Sequence, residues 1–183
     1  QILSGDLVQN GDFSQIGSEE ITNGDFSQIG SELVTNGNFD TNSDWALTRA
    51  VIEDGVAKFQ ESVGTYARVR QNTGFTGQAK VTYTISFNNS SETTIQLRGY
   101  GGANAANVPA TVGTHTVYRN FITSAISFQS GGLAAGEEIH LDNVSVKEVG
   151  QNWNFTNGAT VTNSGARIVS DGAYQYIVQN NVL

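Results

Sequence analysis

The chain has 183 residues, of which 38% are hydrophobic and only 14% are charged, with a formal net charge of −8. The low charged fraction disfavours a helical bundle, whose surface depends on Glu and Lys, and the acidic balance argues against a nucleic-acid-binding surface. There is no cysteine, which excludes disulfides and cysteine-based metal sites, and no apolar run approaches the roughly 20 residues of a membrane span.

Short repeats make up segment 1–32. Asn-Gly-Asp-Phe occurs at 10–13 and 23–26, Asn-Gly-Asn-Phe follows at 36–39, and the spacing between successive copies is constant. One unit reads as a short strand and a tight corner and is too short to bury a core. We therefore expect segment 1–32 to be ordered only by contact with other chains or other repeats. The alternative is a flexible tether, because Ser, Gln, Gly and Glu dominate the units.

The phenylalanines of these repeats are expected to have different environments. Phe39 should enter the core of the domain that follows, whereas Phe13 and Phe26 should lie at contacts between chains. A cyclic oligomer would cover the strand edges that a single chain leaves open. The expected state is a homo-oligomer, with a trimer favoured.

A longer repeat divides the rest of the chain. One constant offset in residue number relates three pairs of identical residues: Trp45 and Trp153, Gln71 and Gln179, and Asn72 and Asn180. We expect one domain over 33–149 and the first half of a second copy over 150–183, with the parent chain continuing beyond it. Both tryptophans are expected to pack into cores. The second copy has no Asn-Gly-x-Phe leader directly before Trp153, so a site built on that leader is not expected there.

The central segments alternate between apolar and polar residues with the period of two that is typical of strands. Gly-, Asn- and Ser-rich corners separate them, and helical periodicity is confined to a turn or two around 104–107. Roughly eight or nine strands at this spacing predict an all-β antiparallel sandwich or barrel. The clearest strands are predicted at 65–70, 81–87, 94–98, 114–121, 126–128 and 139–146.

The same alternation predicts one polar face with groups that suit a sugar. Five side chains should point outward from two strands, whereas Ala67, Val69, Ile95 and Leu97 point inward. If the strands pair, an aromatic ring flanked by guanidinium and amide donors faces solvent, which is the chemistry that binds sugars. The alternatives are a plain soluble surface or a subunit interface. The five candidate ligand-binding residues are Tyr66, Arg68, Arg70, Gln96 and Arg98.

Four motifs in order carry a resemblance to a known family. The chain resembles a carbohydrate-binding-module-type jelly roll, a group also called galactose-binding-domain-like. The resemblance implies a jelly-roll β-sandwich over 33–149, in which the first strand, near 33–39, pairs with the last, near 141–147. The motifs are Val-Thr-Asn-Gly-Asn-Phe-Asp at 34–40, Asp-Trp at 44–45, Val-Thr-Tyr-Thr-Ile-Ser-Phe at 81–87 and Ile-His-Leu-Asp-Asn-Val-Ser-Val at 139–146.

The resemblance also implies a metal site and a setting. Asp40 and Asp142 match positions that commonly hold a structural Ca²⁺ in this family, and hard oxygen ligands suit that ion. The alternative is that Asp40 caps a turn and Asp142 sits in a β-bulge. Tandem copies with this leader and with Asp-Asn-Val-Ser-Val-Lys-Glu-Val at 142–149 look most like bacteriophage tail-fibre or appendage proteins.

Three functions are compatible with these patterns. The leading hypothesis is a non-enzymatic structural or adhesive virion component whose jelly rolls bind host-surface glycans, with other virion proteins as further partners. The second is a carbohydrate-binding module of a secreted bacterial protein that degrades polysaccharide or adheres to it. The third is a surface filament that donates strands between subunits. None of the catalytic motifs expected of an enzyme is found in the sequence.

Overall fold

The computed structural model describes residues 17–99, 105–156, 158–169, 172 and 174–180. Within these residues the chain forms fifteen strands. They are β1 (Ile29–Glu32), β2 (Ala46–Thr48), β3 (Ala50–Glu53), β4 (Val56–Phe59), β5 (Tyr66–Asn72), β6 (Gly77–Asn88), β7 (Thr94–Arg98), β8 (Ala106–Pro109), β9 (Gly113–Phe121), β10 (Ala125–Gly131), β11 (Ile139–Val149), β12 (Asn154–Phe155), β13 (Thr160–Thr162), β14 (Gly165–Arg167) and β15 (Ile177–Val178).

The first eleven strands build two antiparallel sheets. The first sheet has the order β3-β4-β11-β6-β9, with β1 paired to the far end of β11, and the second has the order β2-β5-β10-β7-β8. The predicted all-β sandwich class is confirmed, and no helix occurs in the described residues. The helical turn expected around 104–107 is wrong for its described part, because Leu97 pairs with Ala106 and draws this segment into β8. Among the described residues there is no helix that could cross a membrane.

The core lies between the two sheets. Tyr83 of β6 and Phe128 of β10 are both fully buried, and their ring centroids are 5.1 Å apart across the sandwich. The Tyr83 hydroxyl donates a hydrogen bond of 2.7 Å to the Pro109 carbonyl, so the buried polar group is satisfied. As the alternation predicts, the inward residues of β5 and β7 are buried: Ala67, Val69, Ile95 and Leu97.

The pairing of the first segment with the last strand is confirmed. Leu33 N–H donates to the Val146 carbonyl at 2.9 Å, and Val144 N–H donates to the Gly37 carbonyl at 2.8 Å. The regular strand lies earlier than expected, since β1 covers Ile29–Glu32 and pairs with Lys147 and Val149. The pairing is reinforced by Glu32, whose carboxylate accepts hydrogen bonds from Val146 N–H and the Ser145 hydroxyl, at 2.7 and 2.6 Å.

Each described Asn-Gly-x-Phe unit packs against a tryptophan. We call the unit at 36–39, with the threonine before it, the first leader, and the unit at 23–26, with the threonine before it, the second leader. Phe39 is buried, as predicted, with its ring centroid 5.3 Å from that of Trp45. Phe26 lies in the same way against Trp153, at 5.1 Å, in the second copy. The expectation that Phe26 lies at a contact between chains is therefore wrong, because its partner belongs to the same chain. Phe13 lies outside the described residues.

The second copy receives its leader from upstream in sequence. No Asn-Gly-x-Phe unit directly precedes Trp153, yet the unit at 23–26 occupies the equivalent place. The pairs Asn154–Val178 and Phe155–Ile177 between β12 and β15 reproduce, at the constant offset that relates the two tryptophans, the pairs between β2 and β5. The leader and this strand pair together therefore repeat the entry to the first jelly roll.

We predict that Gly37 tolerates no side chain. A Cβ at this position would lie 2.0 Å from the carbonyl oxygen of Val144, which belongs to β11. This oxygen cannot move aside, because it is part of the backbone and the Val144 N–H donates to the Gly37 carbonyl. Gly37→Ala should lower the unfolding free energy by about 1–3 kcal/mol, the usual cost of overpacking. Thermal unfolding measures the effect.

Gly24→Ala is the matched control. A Cβ at Gly24 meets only the Ile21 side chain, at 3.3 Å, which can move aside. This variant should unfold close to the wild-type temperature. Equal destabilisation by the two substitutions would contradict the close approach of the first leader to β11.

Candidate functional site

The outward face of the second sheet gathers all five predicted ligand-binding residues. They lie on β5 and β7, which do not pair directly, because β10 runs between them. Gln129 of β10 stands opposite Arg68 on one side and opposite Gln96 on the other. The structure thus brings the five residues to one face. The two strands that carry them are separated by a third that the sequence did not place there.

Two adjoining grooves follow this face. One, of about 270 Å³, is lined by Tyr66, Arg68, Arg70, Arg98, Gly99, Ser127 and Gln129. The other, of about 400 Å³, is lined by Thr65, Tyr66, Glu92, Thr94, Ile95, Gln96, Asn107, Gln129 and Gly131. Tyr66 and Gln129 belong to both, so the grooves adjoin across β5 and β10. We call the two together the arginine face.

The arginine face carries concentrated positive charge on an acidic chain. It holds three of the nine cationic side chains, and the first of its two grooves has no carboxylate in its lining. The Arg98 guanidinium donates a hydrogen bond of 2.6 Å to the Gln129 side-chain oxygen. The Arg68 guanidinium carbon lies 5.3 Å from the centre of the Tyr66 ring, within the range of a cation–π contact. These contacts hold two of the guanidinium groups in fixed positions.

Sequence reasoning missed Ser127 and Gln129 as members of this face. β10 has the alternation Ile126-Ser127-Phe128-Gln129, with both apolar residues in the core, so its polar residues were predictable as outward. What local periodicity does not give is the strand order. In addition, the Nε atoms of Arg68 and Arg98 are buried without a hydrogen-bond partner.

The predicted calcium ligands Asp40 and Asp142 lie within electrostatic range of each other, and Asp142 stands at an irregularity of β11. The register of β11 against β6 shifts between Asp142 and Ser145, and Asn143 in this bulge has a φ of 49°. Burial raises the pKa of the Asp142 carboxyl, the backbone N–H of Asn143 lowers it, and the negative charge of Asp40 raises it further. The two carboxylates are therefore electrostatic neighbours, and the bulge predicted as the alternative for Asp142 is present as well.

The donor set of this pair fits a hard cation in part. Asp142 accepts hydrogen bonds from the Asn143 backbone and side chain, at 2.6 and 2.9 Å, and Asp40 accepts one from the Asn38 side chain. Calcium takes six to eight oxygen ligands, so backbone carbonyls and water would have to complete the shell. No cluster of three or more acidic or histidine side chains suited to a metal occurs within the described part of the chain.

We expect Ca²⁺, if this pair binds it, to raise the melting temperature, because an ion that binds only the folded state stabilises it by mass action. Asp142→Asn should abolish this increase. In the presence of chelator the same variant should melt at or above the wild-type temperature, since it removes a partly buried carboxylate that the charge of Asp40 also disfavours. Differential scanning calorimetry with and without Ca²⁺ measures both effects.

Glu61→Gln serves as the control, because it removes one charge from an exposed loop residue away from the pair. It should leave the response to Ca²⁺ unchanged. Identical melting curves of the wild-type chain with Ca²⁺ and with chelator would remove the metal site.

No protein-family model and no curated protein matches the chain. Among solved structures, the enzymatically active domain of tailspike protein 4 of bacteriophage CBA120 matches with a TM-score of 0.40 and 17% identity, over 63% of this chain and 21% of that chain. The module BiXyn10A CBM1 matches with a TM-score of 0.43 and 13% identity, over 68% of this chain and 94% of that chain. CBM29_1, a family 29 carbohydrate-binding module from Piromyces equi, matches with a TM-score of 0.40 and 14% identity, over 66% of this chain and 89% of that chain.

Proposed function

We propose that this chain is a non-enzymatic glycan-binding component and that the arginine face is its binding surface. The observation that carries the proposal is the pair of adjoining grooves, in which guanidinium, amide, phenol and hydroxyl groups converge on one face of a sheet. A sheet face holds such side chains in fixed positions, so little conformational freedom is lost on binding. Two grooves that share Tyr66 and Gln129 suit an extended chain of sugar units better than a single compact molecule.

The charge of the face favours an acidic glycan. Arginine binds carboxylates through two parallel hydrogen bonds, and such charge-assisted bonds are roughly twice as strong as neutral ones. The first groove presents three guanidinium groups, whereas the chain as a whole carries a charge of −8. A uronic-acid polymer would therefore be attracted to this face and repelled by much of the remaining surface.

For the biological setting, we propose a tail fibre or appendage of a bacteriophage virion, with a secreted bacterial carbohydrate-binding module as the alternative. Support for the virion comes from the sequence, in which leader repeats precede a jelly roll that ends in Asp-Asn-Val-Ser-Val-Lys-Glu-Val and is followed by the start of a second copy. Antibodies against the chain separate the two settings: they should label purified phage particles, and labelling confined to bacterial culture medium would favour the secreted module.

The binding proposal predicts that Arg98→Ala weakens affinity for an acidic oligosaccharide at least tenfold. A hydrogen bond to a charged group contributes about 1.5–3 kcal/mol, and about 1.4 kcal/mol corresponds to a factor of ten. Arg68→Ala should have a similar effect, because its guanidinium lines the same groove. Isothermal titration calorimetry with oligogalacturonate, and with a neutral oligosaccharide of the same length, measures the loss.

Arg167→Ala is the matched control, since it removes the same charge from an exposed position on β14, in the second copy. It should leave affinity unchanged. Equal binding of the acidic and neutral oligosaccharides would refute the charge preference, and full affinity in both groove variants would refute this face as the glycan site.

A further inference from the structure

The two described leaders are held by the same set of hydrogen bonds. In the first, the Trp45 indole N–H donates to the Asn36 carbonyl at 3.0 Å, and the Asn36 side-chain amide donates to the Ser43 carbonyl at 3.0 Å. In the second, the Trp153 indole donates to the Asn23 carbonyl at 3.0 Å, and the Asn23 amide donates to the Gln151 carbonyl at 3.2 Å. The residues that hold the leaders, Trp45 and Ser43 in one case and Trp153 and Gln151 in the other, are related by the offset of the long repeat. The asparagines that they hold, Asn36 and Asn23, are one period of the short repeat apart.

In each leader a glutamine amide also binds the backbone of the threonine that precedes the asparagine. We call these hydrogen bonds, together with those of the tryptophan and the asparagine, the leader clamp. Thr35 N–H donates to the Gln71 side-chain oxygen at 2.8 Å, and the Gln71 amide donates to the Thr35 carbonyl at 2.9 Å. Thr22 and Gln179 repeat this reciprocal pair, at 3.0 and 2.8 Å. We call the surface formed by Trp153, Phe155 and Gln179 the second leader site.

The leader backbones are also alike. The asparagine and the phenylalanine of each unit have positive φ angles, 49° and 54° at Asn36 and Phe39 and 52° and 57° at Asn23 and Phe26. Such angles are uncommon outside glycine, so their recurrence indicates one specific bound conformation. The sites therefore recognise the same peptide in the same shape, once next to the domain in sequence and once from 128 residues away.

Burial distinguishes the two sites. Phe39 and Trp45 are 1% and 7% exposed, whereas Phe26 and Trp153 are only half-buried. Clefts of about 320 and 370 Å³ adjoin the second leader, one lined by Thr22, Trp153 and Gln179 and the other by Phe26 and Tyr118 among others. The second leader thus has the hydrogen bonds of the first but buries less apolar surface, so it should be released more easily.

The sequence contains a second, identical ligand for this site. Residues 10–19 and 23–32 have the same amino acids throughout, Asn-Gly-Asp-Phe-Ser-Gln-Ile-Gly-Ser-Glu. Whatever the second leader site recognises in one segment is present in the other. The position before the asparagine differs, because the first repeat has Gln9 where the second has Thr22. The backbone N–H and carbonyl of Thr22 bind the Gln179 side chain, and Gln9 has the same backbone groups. Only the contact of 2.8 Å from the Gln179 amide to the Thr22 hydroxyl depends on that side chain.

We propose that the second leader site is a peptide-docking site and that the first repeat unit, 9–15, of a second copy of this chain occupies it by exchange with 22–28. The hydrogen bonds broken and formed in such an exchange are nearly the same, which makes it a low-cost route to association. The segment of the same chain competes at a millimolar effective concentration, so exchange is favoured where chains are concentrated side by side. This link is independent of the glycan function.

The experiment opens the site by removing its own ligand. Phe26→Ala should release 22–28 and leave 9–15 as the remaining ligand in each chain. A chain that also carries Phe13→Ala has no intact ligand of its own, so a fluorescent peptide with the sequence of residues 7–19 should bind this double variant at least tenfold more tightly than the wild-type chain, measured by fluorescence anisotropy. The same peptide with Gln9→Thr should bind more tightly still, because it restores the hydroxyl contact with Gln179.

Controls separate docking from loss of structure. Adding Trp153→Ala to the double variant Phe13→Ala/Phe26→Ala should abolish peptide binding, while the main unfolding transition, which reports the first jelly roll, stays in place. Analytical ultracentrifugation should show concentration-dependent dimers of the Phe26→Ala chain and only monomers when Phe13→Ala is added. Peptide binding that survives loss of Trp153 would overturn the docking site. A Phe26→Ala chain that stays monomeric at concentrations that saturate the peptide site would overturn the second copy as occupant.

Discussion

The clamp on the leader backbone is the interaction on which the rest of the structure depends. A segment that crosses the end of a sandwich must satisfy its backbone N–H and carbonyl groups away from a regular ladder. Here an indole N–H and a glutamine amide do so, at Asn36 and Thr35. Once the leader is fixed, Phe39 fills the core, Gly37 lies against β11, and Asp40 is within electrostatic range of Asp142.

Much of the fold could be predicted from the sequence because it is encoded locally. Alternation alone separates Val69 from Arg68, and the structure places one in the core and the other on the arginine face. Strand order is different, because it depends on which inward faces fit together over long sequence distances. That is why β10, and with it Gln129, appears between β5 and β7 without any signal near those strands.

The repeats likewise show that the sequence predicts which residues are equivalent but not which distant segments contact each other. The constant offset of the long repeat identified Trp153 and Gln179 as the equivalents of Trp45 and Gln71, and both pairs make the same hydrogen bonds. It did not reveal which leader serves the second copy, because three similar units were available and the partner lies 128 residues away. The charge of Asp40 acts on the carboxyl of Asp142, whereas composition alone gave no indication of that pair.

The distance between the second leader and its tryptophan also has a consequence for biosynthesis. At roughly 5–20 residues per second, Trp153 is made about 6–26 seconds after Asn23. β11, which completes the first jelly roll, is itself made only at the end of that interval, so the segment at 23–26 has no domain to join until then. On a polysome, neighbouring nascent chains carry the same segments at high local density. The order of synthesis therefore gives a period in which a leader from one ribosome can meet a tryptophan from another.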